Sequence, residues 1–374
     1  MRRLAVALLL LVPALALAQM PAPPQLVGRA WVLADLSSDQ ILAAERPDER
    51  FEPASLTKIM TAYLVFEALR DKRIGLEQQA PVSERAWRAP GSRMFIEPRR
   101  PVTVDELIQG MVVQSGNDAC VALAELVAGS EDAFATLMNR EAARLGMRNT
   151  HFMNATGLPD PEHYSSARDI ERLAAALIRD FPQQYARYYS QREFRYNDIT
   201  QPNRNRLLWL DPAVDGVKTG FTDAAGYCLV ASSKRGPRRL LSVLLGSTSE
   251  AKRAQESQKL LNWGFQLFDA VRLYPAGAPV KAVEVWKGAR NTLPAGFQRD
   301  LVVTVPKGDG GKLKAELLSQ SPLVAPVAVG VRVGVLRVTL EGKPLGEYPV
   351  VALEAVPLAG LLGRAWDTLK LWTK

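Results

Sequence analysis

At Val214-Asp-Gly-Val-Lys-Thr-Gly220 the chain changes its period. Upstream, apolar residues recur at helical spacing; from here on, short apolar runs stand between turns. Tyr227 to Ser232 and Leu240 to Gly246 read as strands joined through a Gly236-Pro237 turn, and Glu250 to Phe268 returns to a helix. Before the change lie five helical segments. One begins at Ser55, with Leu56, Ile59, Met60, Tyr63 and Leu64 spaced for one buried face. A Thr103-Val-Asp-Glu106 capping box opens another through about Val113, a break follows, and Asp118 to Ala128 resumes. Ser130 to Leu145 and Ala167 to Arg179 complete the set. Nearer the start, Ala30 to Ala34 and Gln40 to Ala44 flank Asp35-Leu-Ser-Ser-Asp39 as a hairpin. Strands, helices, strands and a last helix predict an α/β domain in which helices flank an antiparallel sheet.

Outside that domain the pattern differs on both sides. From Tyr274-Pro275 to about Val356 the helical period is gone, and alternating runs such as Val331 to Thr339 stand beside turns like Glu341-Gly-Lys-Pro344. A small all-β domain, a sandwich, is expected over 275–356. In the tail, 357–374, Leu358, Leu361, Leu362, Ala365, Trp366, Leu369 and Trp372 form one apolar stripe, with Arg364, Lys370 and Lys374 off it or at the end. That pattern predicts an amphipathic helix lying in a membrane surface as an anchor. Residues 1–18 read as a secretory signal: basic Arg2 and Arg3, an apolar run from Leu4 to Leu17, and an Ala16-Leu17-Ala18 cleavage box. The run is too short to span a bilayer. The expected catalytic domain is thus 19–274.

With 374 residues, 47% hydrophobic and 23% charged, disorder, collagen and a multi-span membrane protein are excluded. Removal of the signal takes Arg2 and Arg3 from the formal charge of +8 and leaves +6. In an exported chain that bias suits an anionic surface, phospholipid or cell wall, and not nucleic acid. Two cysteines, Cys120 and Cys228, sit in apolar segments, so a disulfide and two separate buried thiols are both open. His151, His163 and the two cysteines are too far apart for zinc-ligand spacing, and no cofactor is expected.

Three short motifs carry chemistry. Ser55-Leu-Thr-Lys58 puts a hydroxyl and an amine on one helix face, one turn apart. A serine hydroxyl attacks a carbonyl only when a base takes its proton, and a lysine serves if burial and nearby positive charge lower its pKa. Ser115-Gly-Asn117 falls in the break between two helices, where Gly116 is expected to relax the backbone and let both side chains face a cleft. Lys218-Thr-Gly220 lies on a strand, where Gly220 is expected to let a ligand backbone approach closely. Singly, each occurs at ordinary helix starts, turns and strands.

Together, in this order and in an exported chain, they form the set carried by penicillin-recognising serine enzymes. The chain resembles the low-molecular-mass penicillin-binding proteins, the D-alanyl-D-alanine carboxypeptidases of peptidoglycan. The resemblance runs through Pro53-Ala-Ser-Leu-Thr-Lys58, Gln114-Ser-Gly-Asn-Asp118, Tyr164-Ser-Ser-Ala-Arg-Asp169, Pro202-Asn-Arg-Asn205 and Asp215-Gly-Val-Lys-Thr-Gly220, and extends to the β-domain and the amphipathic tail. It implies a transpeptidase-like catalytic fold, a periplasmic enzyme on the membrane face, and acylation by β-lactams. It further implies Ser55 as acyl nucleophile, Lys58 as proton acceptor and Ser115 as proton relay to the leaving D-alanine. Asn117 would hold the peptide amide. Lys218, Arg204 and Thr219 would bind the terminal carboxylate, beside Gly220, and the amides of Ser55 and Phe221 would form the oxyanion hole.

Phe221 departs from the pattern, since many relatives carry histidine there, and its side chain donates no hydrogen bond. His151 and His163 are expected to pack the loop 151–169 rather than act as bases, and Asp169 to cap the next helix or pair with an arginine. Three alternatives stand beside the carboxypeptidase: a β-lactamase, a D,D-endopeptidase and a non-catalytic wall-binding protein. A class A β-lactamase needs Glu-x-x-x-Asn in this loop, and Ser166 occupies the fourth place after Glu162.

Overall fold

The computed structural model describes residues 22–360 and residue 367. The expected signal segment, and all of the expected anchor helix beyond Gly360 except Asp367, lie outside the described residues. Two units divide the rest: 23–273 with 301–305, and 274–300 with 306–360.

In the first unit, neighbouring residues along each central strand face different cores. Ala30, Val32, Leu241 and Val243 pack with the helices Lys58–Arg70, Asn117–Ala128 and Ala167–Asp180. Their neighbours Trp31, Leu33, Leu240 and Leu244 pack with Ala254, Leu260, Leu261 and Trp263 of the helix Glu250–Leu267. Side chains on a strand alternate between faces, so a sheet covered on both sides reads as continuous apolar runs. The sheet has five strands in the order Gln40–Glu45, Ala30–Asp35, Arg238–Ser247, Gly226–Arg235 and Val214–Thr222, all antiparallel to their neighbours. The N-terminal hairpin therefore lies beside the late strands, and the strand bearing Lys218, Thr219 and Gly220 is left at an edge.

Two helical segments differ from their sequence reading. The helix Lys58–Arg70 is buried nearly all round, from Lys58 through Phe66, rather than along one face. Its first nine residues run through the interior of the helical layer, where no face meets water. The Thr103/Glu106 capping box forms as expected, with Thr103 N donating to Glu106 Oε2 at 2.8 Å. Its helix, however, ends at Gln109 and passes into a π-turn over Gly110–Gln114, a form that collects at functional sites.

The second unit is all-β. Its sheet runs Pro279–Glu284, Thr292–Gly296, Lys343–Ala352, Arg332–Leu340, Leu313–Ser319, again antiparallel, over a core that includes Leu293, Val333, Leu336, Val338 and Val350. The expected turn after Thr339 is a tight hairpin in which Glu341 and Gly342 both have positive φ, 50° and 80°. No helix among the described residues is long and apolar enough to cross a membrane.

Candidate active site

Pro53 leads into a 3-10 turn, Ala54–Thr57, that feeds the helix starting at Lys58. Ala54 holds φ at +48°, a left-handed conformation that costs a non-glycine residue about 1–2 kcal/mol. Two glycines clamp it there. A Cβ on Gly157, itself at φ +82°, would lie 1.8 Å from the Ala54 carbonyl oxygen, and one on Gly220 would lie 3.2 Å from that of Pro53. The close approach that Gly220 permits is thus to the chain's own nucleophile turn.

The i, i+3 spacing then brings Lys58 Nζ to 3.0 Å from Ser55 Oγ. Its other donors go to Asn117 Oδ1 at 2.7 Å and the Thr156 carbonyl at 2.6 Å, so three acceptors match three N–H groups. Burial lowers the Lys58 pKa from its ordinary 10.5, and the Arg204 charge adds to this while Cys120, Asp118 and Glu131 oppose it. Lys218 is also buried and is pushed well below 10.5, first by burial and then by Lys58.

Across the cleft, the π-turn ends at Ser115, which takes φ +68°. The relaxation expected of Gly116 therefore falls on Ser115, while Gly116 stays at φ −57°. Ser115 Oγ is buried with no hydrogen-bond partner among the described residues. Asn117 is engaged at both ends of its amide, by Lys58 and, through Nδ2, by the Pro90 carbonyl at 2.6 Å. Asp118, fully buried, accepts from the backbone of Met94, Phe95 and Ile96 and so fixes the segment after Gly91 and Ser92, which line the cleft. Cys120 and Cys228 are free and buried; burial raises the Cys120 thiol to about 12, so it is no rival nucleophile.

The cleft encloses about 540 Å³ and is lined by Ser55, Ser115, Asn117, Arg204, Thr219 and Phe221, among others. Sequence reasoning missed Arg253. It lies in the cleft wall, 4% exposed, donating to the Gly220 carbonyl at 3.2 Å and the Arg204 carbonyl at 3.5 Å. Its guanidinium lies 5.5 Å from the centre of the Tyr227 ring, and Tyr227 in turn packs on Phe221 at 4.4 Å. Nothing in Ser249-Glu-Ala-Lys-Arg253 separates it from a surface helix start. The Thr156 carbonyl was missed too, because a backbone acceptor leaves no mark in a sequence.

The loop residues act by position. His163 Nδ1 accepts from Met153 N at 3.1 Å, so its proton sits on Nε2, which donates to Thr57 Oγ1 at 2.8 Å. His151 Nδ1 meets the Glu162 carbonyl at 2.9 Å. Among the described residues Asp169 neither caps its helix nor pairs with an arginine: Ser166 is the cap, and Asp169 Oδ2 accepts from Asn149 N and Thr150 Oγ1. Glu162 lines a different cavity from Ser55.

That the three motifs meet at one cleft is what sets the penicillin-recognising serine enzymes apart as a class. Comparison with known proteins narrows it. A family model described as D-alanyl-D-alanine carboxypeptidase matches residues 17–249, and one described as penicillin-binding protein 5, C-terminal domain, matches 268–358. The Escherichia coli D-alanyl-D-alanine carboxypeptidase DacC is 43% identical over 352 residues, 92% of this chain and 88% of the relative. DacA of the same organism is 40% identical over 359 residues, 94% and 89% of the two chains. The crystal structure of penicillin binding protein 5 from Haemophilus influenzae superposes with a TM-score of 0.85 at 40% identity, covering 90% of this chain and 99% of that one. The chain belongs to the D-alanyl-D-alanine carboxypeptidase family.

Proposed function

We propose that the protein is a serine-type carboxypeptidase that removes the terminal D-alanine from peptidoglycan stem pentapeptides and is acylated by β-lactams. Family membership over most of the chain supports the reaction. The observation that carries the assignment of roles is the buried Lys58 Nζ, 3.0 Å from Ser55 Oγ. Neutral Lys58 takes the Ser55 proton as Oγ bonds to the carbonyl carbon between the two D-alanines. The oxyanion is held by the Ser55 and Phe221 amides. Ser115 relays the proton taken up by Lys58 to the departing D-alanine nitrogen, and the C–N bond breaks to leave an ester on Ser55 and Lys58 neutral again. Asn117 holds the peptide amide, and Lys218, Thr219 and Arg204, with Arg253 beside them, hold the terminal carboxylate. Water, deprotonated by Lys58, then cleaves the ester and frees the peptide one residue shorter.

Intact-mass analysis with penicillin tests the nucleophile. A stable adduct on the native chain that is absent from Ser55→Ala is expected; an adduct on both would overturn the role. D-alanine released from a pentapeptide separates the enzyme from a wall-binding protein.

An exported enzyme attached by residues 357–374 to the periplasmic face of the cytoplasmic membrane fits the sequence pattern of both termini. Flotation with vesicles checks this: the full chain should float and a chain cut after Val356 should not. Full retention of the shortened chain would remove the anchor.

A further inference from the structure

The Thr156 carbonyl that meets Lys58 belongs to a short stretch, 154–158, whose amides are all claimed by side chains. Asn154 Oδ1 accepts from the N–H groups of Thr156, Gly157 and Leu158 at 3.1, 2.7 and 3.2 Å, and from Thr156 Oγ1 at 2.9 Å. In a trans peptide the N–H and C=O ends point opposite ways. Holding those N–H ends therefore turns the Ala155 and Thr156 carbonyls the other way, where Thr61 Oγ1 and Lys58 Nζ each donate to them at 2.6 Å. Asn154 shapes the stretch from within. Its remaining amide, Ala155 N, is held from outside by Glu131 Oε1 at 3.1 Å.

Glu131 stands in the first turn of the helix Glu131–Arg144, where an acid ordinarily serves the helix itself. Ser130 already caps that helix, and the neighbouring Asp132 has a side chain 86% exposed. Glu131 instead is 5% exposed and turned inward onto Ala155. Its second oxygen accepts from Arg85 Nη2 at 2.7 Å, and the pair lines a cavity of about 540 Å³ that holds neither Ser55 nor Ser115. Glu131 thus reaches the nucleophile only through the backbone of 155 and 156.

We propose that Glu131 is a positioning residue for the acylation step: by holding Ala155 N it seats the stretch 154–158 so that the Thr156 carbonyl stays on Lys58 Nζ. The inference rests on the assignment of Ser55 as nucleophile and Lys58 as base.

The charge of Glu131 gives the role a signature. Burial is the largest influence on Lys58 and lowers its pKa; Arg204 also lowers it, whereas Cys120, Asp118 and Glu131 raise it. Lys218 and His163 face Lys58 as well. Asp118 is engaged by the backbone of Met94, Phe95, Ile96 and Ala119. Glu131 joins charge and position, since it both favours the Lys58 ammonium and places one of its acceptors. Without the carboxylate the ammonium is less stable, so neutral Lys58 persists to lower pH.

The rate of acylation by penicillin, measured against pH, tests this. On the native chain it should fall on the acid side as Lys58 takes up a proton. Glu131→Gln keeps an acceptor for Ala155 N and removes the charge, so this acid limb should move to lower pH. Glu131→Ala removes both: the limb should move the same way and the plateau rate fall roughly tenfold, the scale of one hydrogen bond, most of which Glu131→Gln should restore. Arg85→Ala takes away the charge opposing the carboxylate, from a side chain 57% exposed, and should move the limb to higher pH. Should Glu131→Ala not fold, the opposite shifts of the other two decide. A limb unmoved in Glu131→Gln and Arg85→Ala, or a rate loss as large in Glu131→Gln as in Glu131→Ala, would overturn the positioning role. A native chain that penicillin does not acylate, or acylates with no acid limb, would overturn the reading of Ser55 and Lys58 and the positioning role with it, an outcome distinct from an unmoved limb.

Discussion

Lys58 must lose water to become a base, yet a buried ammonium without partners is intolerable. The three acceptors around its Nζ resolve that conflict, and only one of them, Ser55 Oγ, is the group it serves in the mechanism proposed above. This pair was legible in the sequence because four consecutive residues contain it. Arg253 was not, because its partners Gly220 and Arg204 lie 33 and 49 residues away. Phe221 belongs to this scale as well. The residue is 48% exposed at the cleft and leans on Tyr227, so it presents to the cleft a side chain that has no hydrogen-bonding group. Phe221→His places a donor there while leaving the backbone amide in place. The carboxypeptidase rate on a D-alanyl-D-alanine peptide should change by roughly 10-fold, the scale of one hydrogen bond, with acylation by penicillin retained; an unchanged rate would make the position irrelevant to turnover.

Among the elements, the loop 151–166 matters most and was least legible. Its composition predicts a loop, but its role depends on what it touches: Thr156 on Lys58, Ala155 on Thr61 Oγ1, Gly157 on Ala54, His163 on Thr57. The 3-10 turn Ala54–Thr57 bears two of these partners and the helix Lys58–Arg70 the other two, which is why the helix's polar residues Lys58 and Thr61 are buried at all. His163 gives the loop a pH dependence. Burial lowers its pKa to about 4, with His151 and Lys58 adding to the shift and Asp160 opposing it. An unfolded chain takes the same proton near 6.5. Between these values the unfolded state holds the extra proton, so stability falls as pH drops from about 6.5 to about 4, by up to about 3 kcal/mol. His163→Gln should flatten that slope. Urea midpoints of both chains at pH 7 and pH 4.5 measure it, and equal slopes would refute the assignment.

At the scale of the whole molecule, the change of period at Val214 was enough to predict helices on an antiparallel sheet, since a covered sheet and amphipathic helices leave different spacings. The pairing of the first hairpin with the last strand left no such trace, because partners across about 200 residues are chosen by packing alone. Nor was it legible that the first unit is completed by residues 301–305. Thr304 Oγ1 donates at 2.9 Å to Asp35, which is fully buried and also bound by Arg238 Nε at 2.6 Å. The Gln40 side chain bonds both the N–H and the carbonyl of Thr304. Thr304→Val should therefore destabilise the first unit by about 1–3 kcal/mol, the range for a buried hydrogen bond to a charged group. Thermal unfolding followed by loss of penicillin acylation reads this, and an unchanged midpoint would show the bond to be idle. For evolution the same strand acts as a lock on modularity. A single genetic crossover near Tyr274 cannot exchange the β-unit cleanly, because whatever replaces it must also bring a residue able to take the place of Thr304 on Asp35 and Gln40.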